Sequence, residues 1–213
     1  MTTVGILGGT GPAGRGVARR LAAAGHDVVL GSRDADRAAQ VASELAARGI
    51  SGASNEDAAR GEIVVVATPW DSAVTTVRAL REALAGKIVI SMVNALSKEG
   101  REMLPLYPPR GSMAAQIAAA LPESRVVGAF HHLPASEMEN LESDLAADVV
   151  VFGDDAEART RVEALVNEMP GLRAVIAGTM SLASAVEAFT AVCISINIRH
   201  KAHSYVTLAG LSI

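Results

Sequence analysis

Cysteine, aromatic residues and positive charge are all scarce in this chain of 213 residues. Its one cysteine, Cys193, excludes a framework of internal disulfides and agrees with a reducing compartment, so we expect a cytoplasmic protein. Aromatic residues make up only 3% of the chain, which argues against a stacking surface for single-stranded nucleic acid. The net charge is −4 at pH 7, whereas a sequence-independent nucleic-acid binder needs excess positive charge.

Long uninterrupted apolar segments are also missing. The N-terminal apolar run has no basic segment before it and is broken by glycines, so it does not have the pattern of a signal peptide. The longest apolar stretch, Ser181 to Ile198, contains Glu187 and is barely long enough for a bilayer, which needs about 20 apolar residues. We therefore expect no membrane span and interpret the stretch as a buried or dimer-facing helix.

What the chain does contain is a regular alternation of short apolar runs with longer helical patterns. Half of its residues are hydrophobic, which is enough to bury a sizeable core. Runs such as Ile63–Ala67 and Lys87–Ser91 are apolar on both faces, which is typical of a parallel sheet covered by helices. The pattern predicts an α/β fold of the Rossmann type, with a doubly wound, mostly parallel sheet and a small C-terminal helical portion.

Three local predictions concern the middle and the end of the chain. The segment Asp71–Leu84 is predicted to form one helix with Asp71 as its N-cap. Several prolines and a glycine predict that Asn94–Arg110 is a long loop outside the sheet core. A helical pattern runs from Ser181 to about Tyr205.

A glycine-rich turn follows the first predicted strand and opens the first predicted helix. It has the pattern GxGxxG and consists of Gly9, Thr10, Gly11, Pro12, Ala13 and Gly14. One glycine permits the tight turn, the next lets the backbone approach a pyrophosphate, and the third lets helix and strand pack closely. The helix N-terminus then offers free N–H groups to the phosphates. The turn predicts a dinucleotide site; the alternative is a glycine-rich turn that holds no ligand.

The end of the second predicted strand distinguishes the two nicotinamide dinucleotides. An NAD site has an acidic residue there, which accepts a hydrogen bond from the ribose 2′-hydroxyl. This chain has Ser32 and Arg33 instead, with Arg37 one turn into the next helix. Arginine makes bidentate, charge-assisted hydrogen bonds to phosphate, so these residues favour NADP. The alternative is that both arginines are ordinary surface charges.

Ligands of open α/β sheets bind beyond the carboxyl ends of the strands. At that edge we expect residues that follow three further predicted strands: Thr68, Pro69 and Trp70 after one, Met92 after the next, and His131 in the segment after the third. Trp70 is either a wall of the cofactor crevice or a core anchor. If His131 and His132 continued their strand, their side chains would point to opposite faces and could not serve one ligand.

We predict neither a catalytic residue nor a metal site. The sequence has no G-x-S-x-G elbow, and His200 and His203 have no carboxylates nearby at a ligand spacing. The two tyrosines, Tyr107 and Tyr205, have no lysine four residues on, so the Tyr-x-x-x-Lys pair of many alcohol-oxidising Rossmann enzymes is missing. An alcohol donor needs a general base, whereas hydride transfer between two redox cofactors does not.

Several of these segments together resemble one family. ILGGTGPAG, AAAGHDVVLGSR, NEDAA, ATPW and HHLPA occur in this order and are similar to segments of the F420-dependent NADP reductases. The resemblance runs from Val4 to about Leu211. It implies an NADP-binding Rossmann domain, which we place over residues 1–135. It also implies a smaller C-terminal part over residues 136–213, with a soft boundary, which completes the sheet and the pocket for the deazaflavin coenzyme F420.

The resemblance also implies roles for individual residues. The NADP phosphates would contact residues 10–13, and the 2′-phosphate would contact Ser32, Arg33 and Arg37. Residues that would border NADP are Trp70, Val74 and Ala135, and those that would contact the deazaflavin region are His131, Leu133 and Pro134. Because F420 carries a phosphodiester and a polyglutamate tail, Arg199 and Lys201 could attract it; alternatively, they only complement the helix dipole.

The sequence therefore predicts an oxidoreductase, an F420-dependent NADP reductase that transfers a hydride reversibly between nicotinamide C4 of NADP(H) and deazaflavin C5 of F420. The alternatives are an NADPH-dependent reductase of another acceptor, such as a flavin, an imine or a ferric chelate, and a non-enzymatic NADP-sensing protein. We expect small-molecule partners and no nucleic acid. We also expect a homodimer through the apolar C-terminal helix, which carries residues that are hard to bury in so small a chain: Val186, Ala188, Val192 and Ile196.

Overall fold

The structure, a computed structural model, describes residues 1–211. Ser212 and Ile213, which end the predicted C-terminal part, lie outside the described residues. Within this range the strands are β1 (Thr3–Leu7), β2 (Asp27–Ser32), β3 (Ile50–Ser54), β4 (Ile63–Val66), β5 (Ile88–Ser91), β6 (Leu96–Glu99), β7 (Glu102–Pro105), β8 (Arg125–Gly128), β9 (Ala147–Gly153) and β10 (Leu172–Gly178). The α-helices are α1 (Pro12–Ala23), α2 (Ala35–Leu45), α3 (Asn55–Ala58), α4 (Trp70–Ala79), α5 (Arg81–Leu84), α6 (Met113–Ala120), α7 (Ala135–Glu139), α8 (Ala156–Glu168) and α9 (Ala183–His200).

Eight of the described strands form one sheet in the order β10-β9-β8-β5-β4-β1-β2-β3. Neighbouring strands are parallel except β8 and β9, which pair antiparallel. From β1 the chain proceeds to β2 and β3 on one side and then to β4 and β5 on the other, which makes a topological switch point beside β1. The predicted fold class is confirmed, and a ligand crevice is expected at this switch point.

Apolar side chains cover both faces of the sheet, as the apolar strands predicted. On one face, side chains of α1, α2 and α8 pack against the sheet, among them Leu21, Val41 and Val162. On the other face, α4 and α6 contribute Val77 and Ile117. Both layers leave the carboxyl edge of the central strands open, and the loops that follow these strands build the site.

Several predicted boundaries differ from the observed ones. Asp71 is not the N-cap of α4, because the helix already begins at Trp70 with Pro69 as its N-cap; Asp71 lies in the first turn. The predicted helix is also interrupted at Leu80, so that α4 and α5 are separate. The segment predicted as loop contains the antiparallel hairpin of β6 and β7, which lies outside the main sheet as expected.

The C-terminal helix ends earlier than its sequence pattern indicated. Helix α9 ends at His200, and Lys201 adopts a left-handed conformation as its C-cap. With the preceding 3₁₀ turn, Met180–His200 is long and apolar enough to cross a membrane by length and composition alone, but a single helix of this kind is weak evidence for a span. Strands β9 and β10, which follow residue 135, complete the same sheet, and the division at that residue stays a prediction.

Candidate functional site

A cavity of about 1050 Å³ lies at the switch point. Its walls come from the loops after β1, β2 and β4 and from one side of α4. The sequence-predicted site residues that line it are Thr10, Gly11, Pro12, Ala13, Ser32, Arg33, Arg37, Thr68 and Pro69. We call this space the first cavity. The structure therefore brings together the glycine turn, the two arginines and the loop after β4, which are far apart in sequence.

Glycines shape the first cavity by allowing close backbone packing. Gly8 has a φ of +68°, and a Cβ placed there would lie 2.8 Å from Cγ2 of Thr68. A Cβ on Gly14 would lie 2.7 Å from Cα of Gly9. Gly9 and Gly14 do not line the cavity. These two predicted site residues therefore hold the turn against the helix, which is the packing role expected for glycines in this motif.

The N-terminus of α1 is suited to bind an anion. Its N-cap is Gly11, which provides no side-chain cap, and its first turn contains no acidic residue. In α2, α6 and α8, by contrast, a serine or aspartate side chain accepts a backbone N–H at the same position. The free N–H groups of α1 and its dipole therefore face the cavity, as a pyrophosphate group requires.

The far end of the first cavity carries exposed positive charge. Arg33 and Arg37 line it, and neither pairs with an acidic side chain among residues 1–211. Asp34 caps α2 by accepting the N–H of Arg37 at 3.0 Å. Ser32 Oγ accepts the N–H of Asp34 at 3.1 Å, so its hydroxyl hydrogen is left to donate. This end of the cavity fits a phosphate group.

A second cavity of about 280 Å³ adjoins the first. The two share Ala13, in the first turn of α1. The other sequence-predicted site residues that line the second cavity are Met92, His131, Leu133, Pro134 and Ala135. No Asp, Glu, Lys or Arg among the described residues lines it. An uncharged, half-apolar space of this kind suits a flat heterocyclic ring better than a phosphate.

The two consecutive histidines face the same cavity. Strand β8 ends at Gly128, and Phe130 follows with a φ of +67°, so His131 and His132 lie in a turn and the condition for opposite faces does not hold. Burial, helped by the neighbouring His132, lowers the pKa of His131 to about 3. Burial also lowers the pKa of His132, whose Nε2 lies 2.8 Å from the carbonyl oxygen of Val186. Both imidazoles are therefore neutral at pH 7 and add no charge to the cavity.

The imidazole of His131 is buried without a hydrogen-bond partner among the described residues. Both of its ring nitrogens are buried without a protein partner, and the ring stacks on Phe152 at a centroid distance of 5.4 Å. Its backbone carbonyl accepts from Asn94 Nδ2 and from Thr190 Oγ1, each at 3.3 Å. The loop is thus fixed by its backbone, while the two imidazole nitrogens stay unpaired in the interior.

Besides Gly9 and Gly14, four predicted residues line neither cavity. Trp70 is 41% exposed, so the alternative of a core anchor is wrong. Val74, a residue of α4, is half-buried against the apolar cluster between that helix and the sheet. Arg199 lies 3.4 Å from Glu102 on the β7 side of α9, and Lys201 is exposed beyond the end of that helix. Contacts of these four residues with a cofactor stay predictions.

Sequence reasoning missed two helical stripes that complete the walls. On α4, residues spaced by three and four line the first cavity: Ser72, Thr75, Thr76 and Ala79. On α9, the same spacing places residues along the second cavity: Thr190, Cys193, Ile194 and Asn197. Small and polar residues at this spacing on otherwise apolar helices were the available signal. Asn55 was also missed; its Oδ1 accepts the N–H of Gly8 at 3.1 Å.

The comparisons with known proteins agree with this geometry. Residues 3–95 match the model of the family "NADP oxidoreductase coenzyme F420-dependent". The F420-dependent NADP reductase of Methanocaldococcus jannaschii is 35% identical over 93% of this chain and 93% of its own. The chain belongs to the F420-dependent NADP reductases. The reductase of Methanothermobacter thermautotrophicus is 30% identical over 99% of this chain and 94% of its own.

A solved relative shows the same architecture as this F420-dependent NADP reductase. The crystal structure of a protein from an Arthrobacter species, described as a candidate F420-dependent NADP-reductase, superposes with a TM-score of 0.83. It is 27% identical, and the match covers 96% of this chain and 97% of that one.

Among residues 1–211 no group of three or more His, Cys, Asp or Glu side chains is placed to hold a metal ion.

Glu187 anchors α9, which walls the second cavity, to the start of α6. Its carboxylate oxygens accept the backbone N–H groups of Met113 at 2.7 Å and Ala114 at 2.8 Å. Burial raises the pKa of Glu187 to about 7, although the two N–H donors act in the opposite direction. Glu187 therefore changes its charge near neutral pH at a contact that supports the site.

We expect the contribution of Glu187 to the free energy of unfolding to decrease as the pH rises towards neutrality. A carboxyl whose folded pKa is raised contributes stability that is fully present below its ordinary pKa of 4.5 and is lost as pH rises through about 7. The slope in this window is roughly 1 kcal/mol per pH unit. The slope is measured as the difference between urea unfolding of the unmodified protein and of Glu187→Gln, because the lowered pKa values of His131 and His132 act with the opposite sign in both proteins. An equal slope in that variant contradicts the assignment.

Proposed function

We propose that this chain transfers a hydride between NADP(H) and coenzyme F420, with the first cavity for NADP and the second for the deazaflavin ring. The observation that carries the assignment of the two cavities is their junction at Ala13. A dinucleotide that lies along the first cavity has its pyrophosphate at the start of α1, next to this junction. Its nicotinamide end then reaches the second cavity, where a second ring can meet it.

When both cofactors are bound, the chemistry they supply is direct: NADPH gives a hydride to C5 of the oxidised deazaflavin, which also takes up a proton from water. The protein's part is to bind, orient and exclude water. The N-terminus of α1 and the arginine end support the binding of a pyrophosphate and a 2′-phosphate. Neutral His131 and the apolar wall of Leu133 and Pro134 support the binding of an uncharged ring face. No residue is required as a general base.

Dimerisation through α9 is part of the proposal. The helix exposes large apolar side chains: Phe189 at 47%, Val192 at 48% and Ile196 at 44%. A contiguous exposed apolar stripe of this kind is typical of an interface. We expect size-exclusion chromatography at several concentrations to give a dimer, and Val192→Glu to give a monomer. A monomer at every concentration for the unmodified protein contradicts this part.

A cytoplasmic location, inferred from the single cysteine, stays a prediction.

A spectrophotometric assay tests the proposed activity. Purified protein is mixed with NADPH and F420, and NADPH oxidation is followed together with the loss of F420 absorbance. FMN, FAD, a cyclic imine and a ferric chelate replace F420 in parallel reactions. We expect F420 to be reduced with the highest kcat/KM. Faster turnover of another acceptor favours a different NADPH-dependent reductase, and tight NADPH binding without turnover of any acceptor favours an NADP-sensing protein.

A further inference from the structure

Helices α1 and α7 connect the two cavities to each other. Helix α1 begins in the glycine turn, and its Ala13 lines both cavities. Helix α7 begins at Ala135, directly after the loop that walls the second cavity with Leu133 and Pro134. The packing of α7 against α1 therefore determines how far the wall of the second cavity lies from the glycine turn.

Gly16 brings the two helices into backbone contact. A Cβ built on Gly16 would lie 2.6 Å from Cβ of Met138 and 3.3 Å from the carbonyl oxygen of Ala135. Met138 is 2% exposed, so the crowded contact lies in the interior. A glycine in the middle of a helix is less favourable than alanine, and the close approach of α7 gives a physical reason for its presence.

Arg20, one turn further along α1, holds the other end of α7. Its side chain is buried at 1% exposure. Nη2 donates to the carbonyl oxygens of Glu137 at 2.6 Å and Asn140 at 3.0 Å, and Nη1 donates to that of Pro170 at 2.5 Å. These carbonyls belong to the end of α7 and to the turn before β10, where a guanidinium satisfies groups that the short helix leaves unpaired. Arg20 therefore fixes α7 along its axis.

A third contact lies between the same helices on the solvent side. Arg15 Nη2 lies 3.3 Å from Glu139 Oε2, and both side chains are about a third exposed. An exposed ion pair contributes little to stability. The position of α7 against α1 therefore depends mainly on the buried contacts of Gly16 and Arg20, and little on the Arg15–Glu139 pair.

We propose that Gly16 and Arg20 are positioning residues for hydride transfer, because they set the distance between the glycine turn and the deazaflavin wall. The proposal rests on the proposed function. Neither Gly16 nor Arg20 lines a cavity, so both residues act through α7. Hydride transfer is sensitive to the separation of the reacting atoms, and a displacement of about 1 Å can lower the rate about 100-fold. A shift of α7 is therefore expected to slow the chemical step more than it weakens NADPH binding.

Two variants and a matched control test this assignment. Gly16→Ala pushes α7 outwards, and its gain in helix propensity partly offsets the crowding, so the variant is expected to fold. Arg20→Lys keeps the positive charge, but a lysine ammonium cannot donate to all three carbonyl oxygens as the planar guanidinium of Arg20 does. Arg19→Lys makes the same substitution at the neighbouring position of α1. Thermal melting is recorded for each variant to separate stability from rate.

The readouts are the NADPH dissociation constant, the single-turnover rate of F420 reduction, and the deuterium isotope effect with NADPH deuterated at nicotinamide C4. We expect Gly16→Ala and Arg20→Lys to lower the rate about 10- to 100-fold and to raise the isotope effect, with nearly unchanged NADPH binding and an unaffected Arg19→Lys. Unchanged rates, or a loss of NADPH affinity equal to the loss of rate, overturn the assignment.

The proposed function and this inference fail in different measurements. F420 reduction by the unmodified protein tests the function alone. The ratio of variant to unmodified rates tests the positioning role, and it is measured with whichever acceptor the unmodified protein reduces fastest. If the unmodified protein reduces no acceptor, the positioning role falls together with the function; if it reduces F420 and the ratios equal one, only the positioning role falls.

Discussion

Replacing Arg33 by alanine is expected to lower kcat/KM for NADPH about 10- to 150-fold and to leave kcat/KM for NADH nearly unchanged, since a hydrogen bond to a charged group contributes about 1.5–3 kcal/mol. Arg33 lines the end of the first cavity without an acidic partner among the described residues. Its guanidinium is therefore available to the 2′-phosphate, which NADH lacks. Steady-state kinetics with both dinucleotides measure the change in preference.

Arg81→Ala is the matched control for this prediction. Arg81 is an exposed arginine at the start of α5 and lines neither cavity. We expect Arg81→Ala to leave kcat/KM for NADPH and for NADH unchanged, apart from a small effect of the lost charge on the approach of the dinucleotide. If Arg33→Ala weakens NADPH and NADH equally, the assignment of Arg33 to the 2′-phosphate is incorrect.

Gly14→Val is expected to abolish measurable NADPH binding and to lower the melting temperature. The first added carbon already lies 2.7 Å from Cα of Gly9 and 2.8 Å from its carbonyl oxygen, so α1 has to move away from the glycine turn. Overpacking of this kind costs about 1–3 kcal/mol, or roughly 2–10 °C in a chain of this size. Differential scanning fluorimetry with and without NADPH measures both effects.

Gly11→Ala separates binding from stability. A Cβ on Gly11 has only the carbonyl oxygen of Gly8 nearby, at 3.8 Å, and the φ of Gly11 is −75°, which alanine adopts freely. The melting temperature without ligand should therefore stay the same, while the added methyl group obstructs the approach of a pyrophosphate and weakens NADPH binding. Unchanged NADPH affinity in Gly11→Ala would show that the dinucleotide does not use this turn.

Much of the fold was predictable because its strands are short apolar runs buried on both faces. Runs such as Ile63–Val66 are fully buried between two helical layers, and this leaves a pattern that few other arrangements share. The hairpin of β6 and β7 was not predictable, because each strand has only 4 residues and β7 includes Pro105. Its position depends on contacts with α9, such as the hydrogen bond from Met103 N–H to Ser195 Oγ at 2.8 Å.

The candidate site was predictable where one short motif supplies the geometry. The glycine turn follows β1, and Ser32 ends β2 with Arg33 directly after it, so the sheet places both segments at the same edge. The stripes on α4 and α9 depend on how helices far along the chain pack, which local sequence does not specify. The positive φ of Phe130 was also not predictable. It ends the strand direction, so that His131 and His132 line one cavity instead of pointing to opposite faces as in a continued strand.

If the two cavities hold two rings in direct contact, hydride passes between them without exchange with water, and isotope tracing tests this. NADPH deuterated at both hydrogens of nicotinamide C4 is oxidised with F420 in ordinary water, and the reduced deazaflavin is analysed by mass spectrometry and NMR. We expect one deuterium at deazaflavin C5 with no dilution by solvent. Reduced F420 that carries hydrogen from water at C5 would contradict direct transfer and with it the assignment of the second cavity.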